Sequence, residues 1–242
     1  MIEDIIIHPK RSKREHEVPP CGLMLVTPSE LQFGRKQLVE KGGRDQFIFS
    51  SSLTISPDDR FFIAGPAIGA PVAAMTMEKL IVLGARKIIM FGWCGTIDPL
   101  LRVGDVVIGG EPVSGEGTSR YYPTASSPLP SSELTSSLSQ TLEAEGVRHS
   151  KRNVWTTDAP YREDRNYIQG LHDNADVCCV DMEYSALCAV AAFRGIAFAA
   201  VFLVSDELYQ ERWMPGYIRS DFREKSKLLV SILLNEGVFG GQ

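Results

Sequence analysis

The stretch Gly195-Ile-Ala-Phe-Ala-Ala-Val-Phe-Leu-Val-Ser205 decides the fold. A strand with one wet face alternates apolar and polar residues, whereas this run is apolar at almost every position. It therefore predicts a strand covered on both sides, as in the sheet of an α/β protein. Lys87-Ile-Ile-Met-Phe-Gly92 reads the same way. Further out, Cys21 to Thr27, Phe61 to Gly65 and Val106 to Gly109 are shorter strand candidates. Helices are predicted from Pro28 to about Val39, from Val72 to a stop at Gly84, over Ser131 to Glu145, from Arg162 through Leu171, and over Asp181 to Phe193. An amphipathic helix over Asp221 to Asn235 closes the chain. Gly92 to Asp98 reads as a glycine-containing loop, and Thr118 to Ser132, rich in Ser, Pro and Thr, as a surface excursion. Strands alternating with helices predict an α/β fold, a three-layer sandwich around a mixed, largely parallel central sheet.

Composition narrows the function. With 242 residues, 44% of them hydrophobic, residues 1–242 suffice for one compact domain, with residues 1–20 as an N-terminal arm. The basic run Lys10-Arg-Ser-Lys-Arg-Glu-His16 reads as a solvated part of that arm. Net charge is -5 and the basic residues do not recur as a stripe, which argues against a nucleic-acid partner. No signal-peptide pattern and no membrane-length apolar run occurs, so a soluble, cytoplasmic protein without membrane association is expected. Five cysteines, an odd number without CxxC spacing, read as buried thiols. Gly65-x-x-x-Gly69 and Gly92-x-x-Gly95 are not dinucleotide fingerprints, no Walker pattern is present, and the four histidines lack metal-binding spacing. No organic cofactor and no metal is expected.

Two acidic clusters flank the apolar C-terminal half: Val180-Asp-Met-Glu-Tyr-Ser-Ala-Leu187 and Val204-Ser-Asp-Glu207. Carboxylates at the ends of buried elements sit where α/β proteins form small-molecule sites. Each also has a plainer reading: Glu183 as a first-turn helix acid, Met182 as core, and Asp206 as a helix cap.

Six segments in order resemble the superfamily of nucleoside phosphorylases and nucleosidases. These are Gly65-Pro-Ala-Ile-Gly-Ala-Pro71, the strand and loop Leu83 to Gly95, Arg102-Val-Gly-Asp-Val-Val-Ile108, Asn153-Val-Trp-Thr-Thr-Asp158, the Met182-Glu183 cluster and Val204-Ser-Asp206. The resemblance implies that Met182 and Glu183 hold the ribose and that Asp206 protonates a purine-like base. Ser205 either orients that carboxyl through a hydrogen bond or only caps the chain there. It places Gly92, Trp93 and Cys94 against the ligand. It makes Tyr161 and Trp155 the candidates for an aromatic platform under the base, although Pro160 stands where many relatives have Phe.

Cleaving an N-glycosidic bond puts positive charge on the sugar and negative charge on the base, which suits a carboxylate at one end and a proton donor at the other. The nucleophile is the open question. Met90 and Trp93 stand where phosphorylases carry an Arg and a small hydroxyl, so the phosphate clamp is missing. Glu30 falls where nucleosidases and futalosine hydrolase carry a water-activating Glu. Hydrolysis is therefore favoured. The alternatives are phosphorolysis, with inorganic phosphate as co-substrate and His8, Arg35, Arg44 or Arg162 serving it from this chain or a neighbouring subunit, and a non-catalytic nucleoside-binding relative. A homo-oligomer, dimer or hexamer, is implied by the family.

Overall fold

The structure, a computed structural model, describes residues 5–49 and 51–240. Its elements in chain order are β1 (Cys21–Leu25), α1 (Pro28–Glu40), β2 (Arg44–Ile48), β3 (Ser51–Ile55), β4 (Phe61–Gly65), α2 (Ala70–Leu83), β5 (Lys87–Thr96) and β6 (Val106–Gly115). Then come α3 (Ser132–Ala144), β7 (His149–Thr157), α4 (Arg165–Ala175), β8 (Val177–Asp181), α5 (Tyr184–Arg194), β9 (Ala197–Glu207), β10 (Met214–Pro215) and α6 (Ser220–Leu233).

The expected three-layer α/β architecture is present. The strands form one mixed sheet in the order β10-β9-β6-β7-β8-β5-β1-β4-β3-β2. The uninterrupted apolar runs are explained by burial on both faces. Along β9, Ala199, Val201 and Leu203 face the cluster that holds Leu31, Leu38, Leu138 and Leu229 of α1, α3 and α6. The intervening Phe198, Ala200, Phe202 and Val204 face Ala73, Met77, Leu80 and Leu187 of α2 and α5. The period-two alternation is intact, and both of its faces are apolar.

Three details position the site. First, β5 runs on to Thr96 and does not stop at Gly92, so most of the predicted loop is strand. Its far end leaves the straight parallel ladder: β9 also pairs with β5, which closes β5, β9, β6, β7 and β8 into a ring. Second, Gly95 on β5 is the partner of Val180 on β8 and of Asp206 on β9. The two acidic clusters, distant in sequence, thus end on either side of one glycine. A Cβ there would stand 3.2 Å from Asp206 Oδ2 and 2.9 Å from Leu208 Cδ1. Third, Cys94 pairs with Val204 but Gly95 with Asp206, so Ser205 is an extra residue in β9. Such a bulge re-aims the following side chain.

Two other expectations are corrected. The helix predicted from Asp181 begins at Tyr184, because Val177–Asp181 is a strand that hands over to the helix through Met182 and Glu183. The basic arm is not solvated throughout: the Glu15 side chain is fully buried, 3.1 Å from Lys79 Nζ, and Val18 N–H donates to the Leu83 carbonyl. Among the described residues, no helix is long and apolar enough to cross a membrane.

Candidate active site

Glu183, Met182 and Asp206 line one cavity of ≈ 320 Å³, together with Ser205, Cys94, Trp93 and Tyr161. Glu183 is 4% exposed and receives one hydrogen bond to its carboxylate, from Gly69 N–H to Oε1 at 2.6 Å. Gly69 opens α2 with φ 87, a conformation that favours glycine, and this turn is what points its amide into the cavity. A carboxylate has room for about four donors, so Glu183 keeps acceptor capacity toward the cavity. Burial pushes its carboxyl well above the ordinary range, and the charge of Asp181 adds to the shift.

Asp181 supports rather than lines up with that pair. Its oxygens accept from Thr156 Oγ1 at 2.6 Å and from the backbone N–H groups of Glu183 and Tyr184 at 3.0 and 2.7 Å. It therefore fixes the turn on which Met182 and Glu183 ride. Burial raises its carboxyl too, against the hydrogen bond from Thr156.

Asp206 is only partly buried, contrary to the dry carboxyl that the apolar strand suggested, because the bulge carries it out at the strand end. Both of its oxygens accept: Oδ1 from Ser205 Oγ at 2.6 Å and Oδ2 from Trp213 Nε1 at 2.8 Å. Ser205 thus donates to the acid that follows it in the bulge. Trp213, Tyr217 and Glu163 were not singled out in the sequence, and all three line the cavity. The one signal for the first two is the aromatic pair around the turn Trp213-Met-Pro-Gly-Tyr217, a few residues beyond Asp206.

Trp93 does not fill the cavity. Its ring stacks on Tyr217 at 5.9 Å and 18° and meets Phe222 edge-on at 5.2 Å. This stack is a wall, and Glu30 lies on its other side. Glu30 lines a separate cavity of ≈ 390 Å³ with Trp93, Tyr217, Arg223 and Lys227, and it does not line the one that holds Glu183 and Asp206. Its carboxylate is buried and accepts from Ser226 Oγ at 2.7 Å, Ser29 Oγ at 2.5 Å and Thr27 Oγ1. Thr27 itself lines the nucleoside-sized cavity, so its hydroxyl links the two spaces.

The remaining candidates separate. Tyr161 is on the wall and 98% exposed. Trp155 is 6% exposed in a small core cluster with Ile168 and Val180, absent from the cavity wall, so its platform role is corrected to core. Gly92 is also behind the wall, where a Cβ would press on Val26 at 3.3 Å. Arg35 is paired with Asp45 and Arg44 with Asp59, both on the surface. His8 borders a hollow with Met75 and Phe193, and Arg162 is exposed on the turn 160–162. None of these four belongs to the cavity wall, which carries no Lys, Arg or His among the described residues.

A buried carboxylate and a second, partly buried acid thus share one cavity at the strand ends of a mixed α/β sheet. The chain belongs to the phosphorylase superfamily, whose family model matches residues 22–235. It is 27% identical over 166 residues to a guanosine phosphorylase of Halorubrum lacusprofundi, covering 68% of each chain. It is 30% identical over 153 residues to a uridine phosphorylase of Treponema pallidum, covering 59% of each. In fold it is similar to a purine nucleoside phosphorylase of Toxoplasma gondii, with a TM-score of 0.80, 20% identity and coverage of 99% of this chain and 98% of the other. A futalosine hydrolase of Helicobacter pylori is similar at a TM-score of 0.71 and 12% identity, over 89% of this chain and 97% of that one.

Proposed function

We propose that the protein hydrolyses the N-ribosyl bond of a purine nucleoside held between Glu183 and Asp206. The observation that carries the choice of water is the lining of the cavity: Glu163, Asp181, Glu183 and Asp206 are on its wall, and no cationic side chain is. A phosphate dianion finds no cationic partner on that wall, whereas water needs none.

Glu183 accepts the ribose hydroxyls and Met182 packs against the sugar. As the C1′–N9 bond breaks, the bonding electrons pass to the base, the sugar becomes oxocarbenium-like opposite Glu183, and a proton taken up from solvent reaches N7 through the Asp206 carboxyl. The water oxygen bonds to C1′. Its released proton passes through the Thr27 hydroxyl to Glu30, whose three hydroxyl partners hold it in place. Partial exposure of Asp206 lets it recover its proton from solvent.

A second reading, phosphorolysis, is favoured by the names of the relatives above and requires cations brought from a neighbouring subunit, with His8 and Arg44 as the candidates. The discriminating experiment incubates the enzyme with adenosine, inosine, guanosine and uridine with and without phosphate and identifies the sugar. Free ribose at a rate unchanged by phosphate supports hydrolysis, and ribose 1-phosphate refutes it.

The same proposal places the enzyme in purine salvage in the cytoplasm, which suits five unpaired cysteines, and in a homo-oligomer. The apolar surface formed by Ile5, Ile7, Met75 and Tyr121 supports the latter.

A further inference from the structure

The cleft does not end at Asp206. A second chamber of ≈ 380 Å³ shares Tyr161, Glu163, Asp206, Leu208 and Trp213 with the nucleoside cavity and adds Arg165 and Ile168. Glu183 lines the first chamber alone, so Asp206 stands at the junction and the second chamber lies beyond it from the ribose end. The Arg165 guanidinium is tied down, donating to the Glu211 carbonyl at 3.2 Å and the Tyr209 carbonyl at 3.5 Å. These bonds hold the segment carrying Trp213 over the chamber. Beyond Asp206 at the junction, the chamber presents an apolar surface of Ile168, Leu208 and Trp213 and a second carboxyl, Glu163, which has no hydrogen-bond partner among the described residues. Desolvation, and then the charge of Asp206, push that carboxyl up to about 7.

Purine chemistry indicates what enters such a space. N7 and the C6 substituent lie on the same edge of the ring. A base offering N7 to Asp206 therefore directs its C6 substituent past Asp206, away from the sugar. On the reading of the first chamber given above, we propose that the preferred substrates are purine ribosides whose C6 amino nitrogen carries an apolar alkyl or aryl group. That group seats against Ile168 and Leu208, and Glu163 accepts the remaining N6–H. Bond making and breaking at C1′ are unchanged, so the second chamber sets specificity and not the reaction.

The test compares kcat/KM for N6-benzyladenosine and adenosine, using their ratio so that a general loss of activity cancels. The wild-type ratio is expected to favour the benzyl substrate by at least about tenfold, the scale on which apolar pockets discriminate. Ile168→Phe, which fills the chamber, is expected to lower the ratio about tenfold. Ile168→Ala, which enlarges it and does not depend on accommodating a larger ring, should move the optimum to N6-phenethyladenosine. Adenosine cleaved with a ratio below one, or a ratio unmoved by both variants, overturns this assignment while leaving the nucleosidase reading intact. Cleavage of neither nucleoside also overturns this assignment, and the nucleosidase reading falls with it only when inosine and guanosine are left intact as well.

Discussion

Two cavities lie back to back on either side of the Trp93–Tyr217 stack, and they differ in charge. The one with Glu183 and Asp206 has carboxylates and no cation among the described residues. The one with Glu30 has Arg223 and Lys227 beside a carboxylate already satisfied by hydroxyls. In the first, burial leaves acids short of donors, which on the proposed reading a sugar and a base edge supply. In the second, three hydroxyls already donate to the acid, and on that reading its route to the reaction is the Thr27 hydroxyl. The proposed function thus distinguishes groups that would touch substrate from one that would act through another.

That contrast can be broken at several points. The largest effect is expected from Asp206→Asn, whose one amide oxygen can still accept from Trp213 but which removes the proton donor: kcat for nucleoside cleavage should fall about 10²–10⁴-fold with the Tm little changed. Glu183→Gln should cost about 10²–10³-fold, because the amide still accepts from Gly69 N–H yet no longer opposes the sugar's positive charge. Thr27→Val and Glu30→Gln should each lower kcat about 10- to 100-fold with KM nearly constant, and the double variant should be no worse than the poorer single one if the two form one relay. Additive losses would show that they act separately.

Stability offers a smaller and independent test. A carboxyl whose folded pKa is raised contributes fully below its unfolded value of about 4.3 and loses that contribution as pH rises through the folded one. Burial raises Glu183 in this sense. Glu183→Gln should therefore match the wild type near pH 5 and exceed it near pH 8 by about 2–4 °C in Tm, measured by thermal denaturation. A variant less stable at pH 8 would contradict the desolvation argument. The smallest effect is expected at Arg35→Gln, which breaks an exposed pair with Asp45 and is no part of either cavity: a Tm and a kcat/KM indistinguishable from the wild type.

The sequence made the two-sided sheet legible because Gly195 to Ser205 has apolar residues on both alternations, and the helices on each face supply matching clusters. It did not reveal β8, whose five residues run almost directly into α5, nor the end of β5, where Gly92 and Gly95 suggested a loop. Those glycines serve tight packing within a strand. The edge strand β2 and its neighbour β3 were also missed, since Arg44 to Ile48 is mostly exposed and carries little apolar pattern. In the site, Met182, Glu183 and Asp206 were readable because each ends a buried element. Glu163, Trp213 and Tyr217 were not, because they sit on connecting segments whose placement only the assembled fold determines. Glu30 was recognised by position along the chain, but the wall formed by Trp93 and Tyr217 is a tertiary feature.

The most direct measurement is a crystal structure of the Glu183→Gln variant with a bound purine nucleoside. The account predicts ribose hydroxyls on residue 183, N7 within hydrogen-bonding distance of Asp206, and Trp213 displaced from its bond to that carboxylate. A nucleoside bound elsewhere, or one whose base lies at residue 183 and whose sugar lies at Asp206, would contradict it.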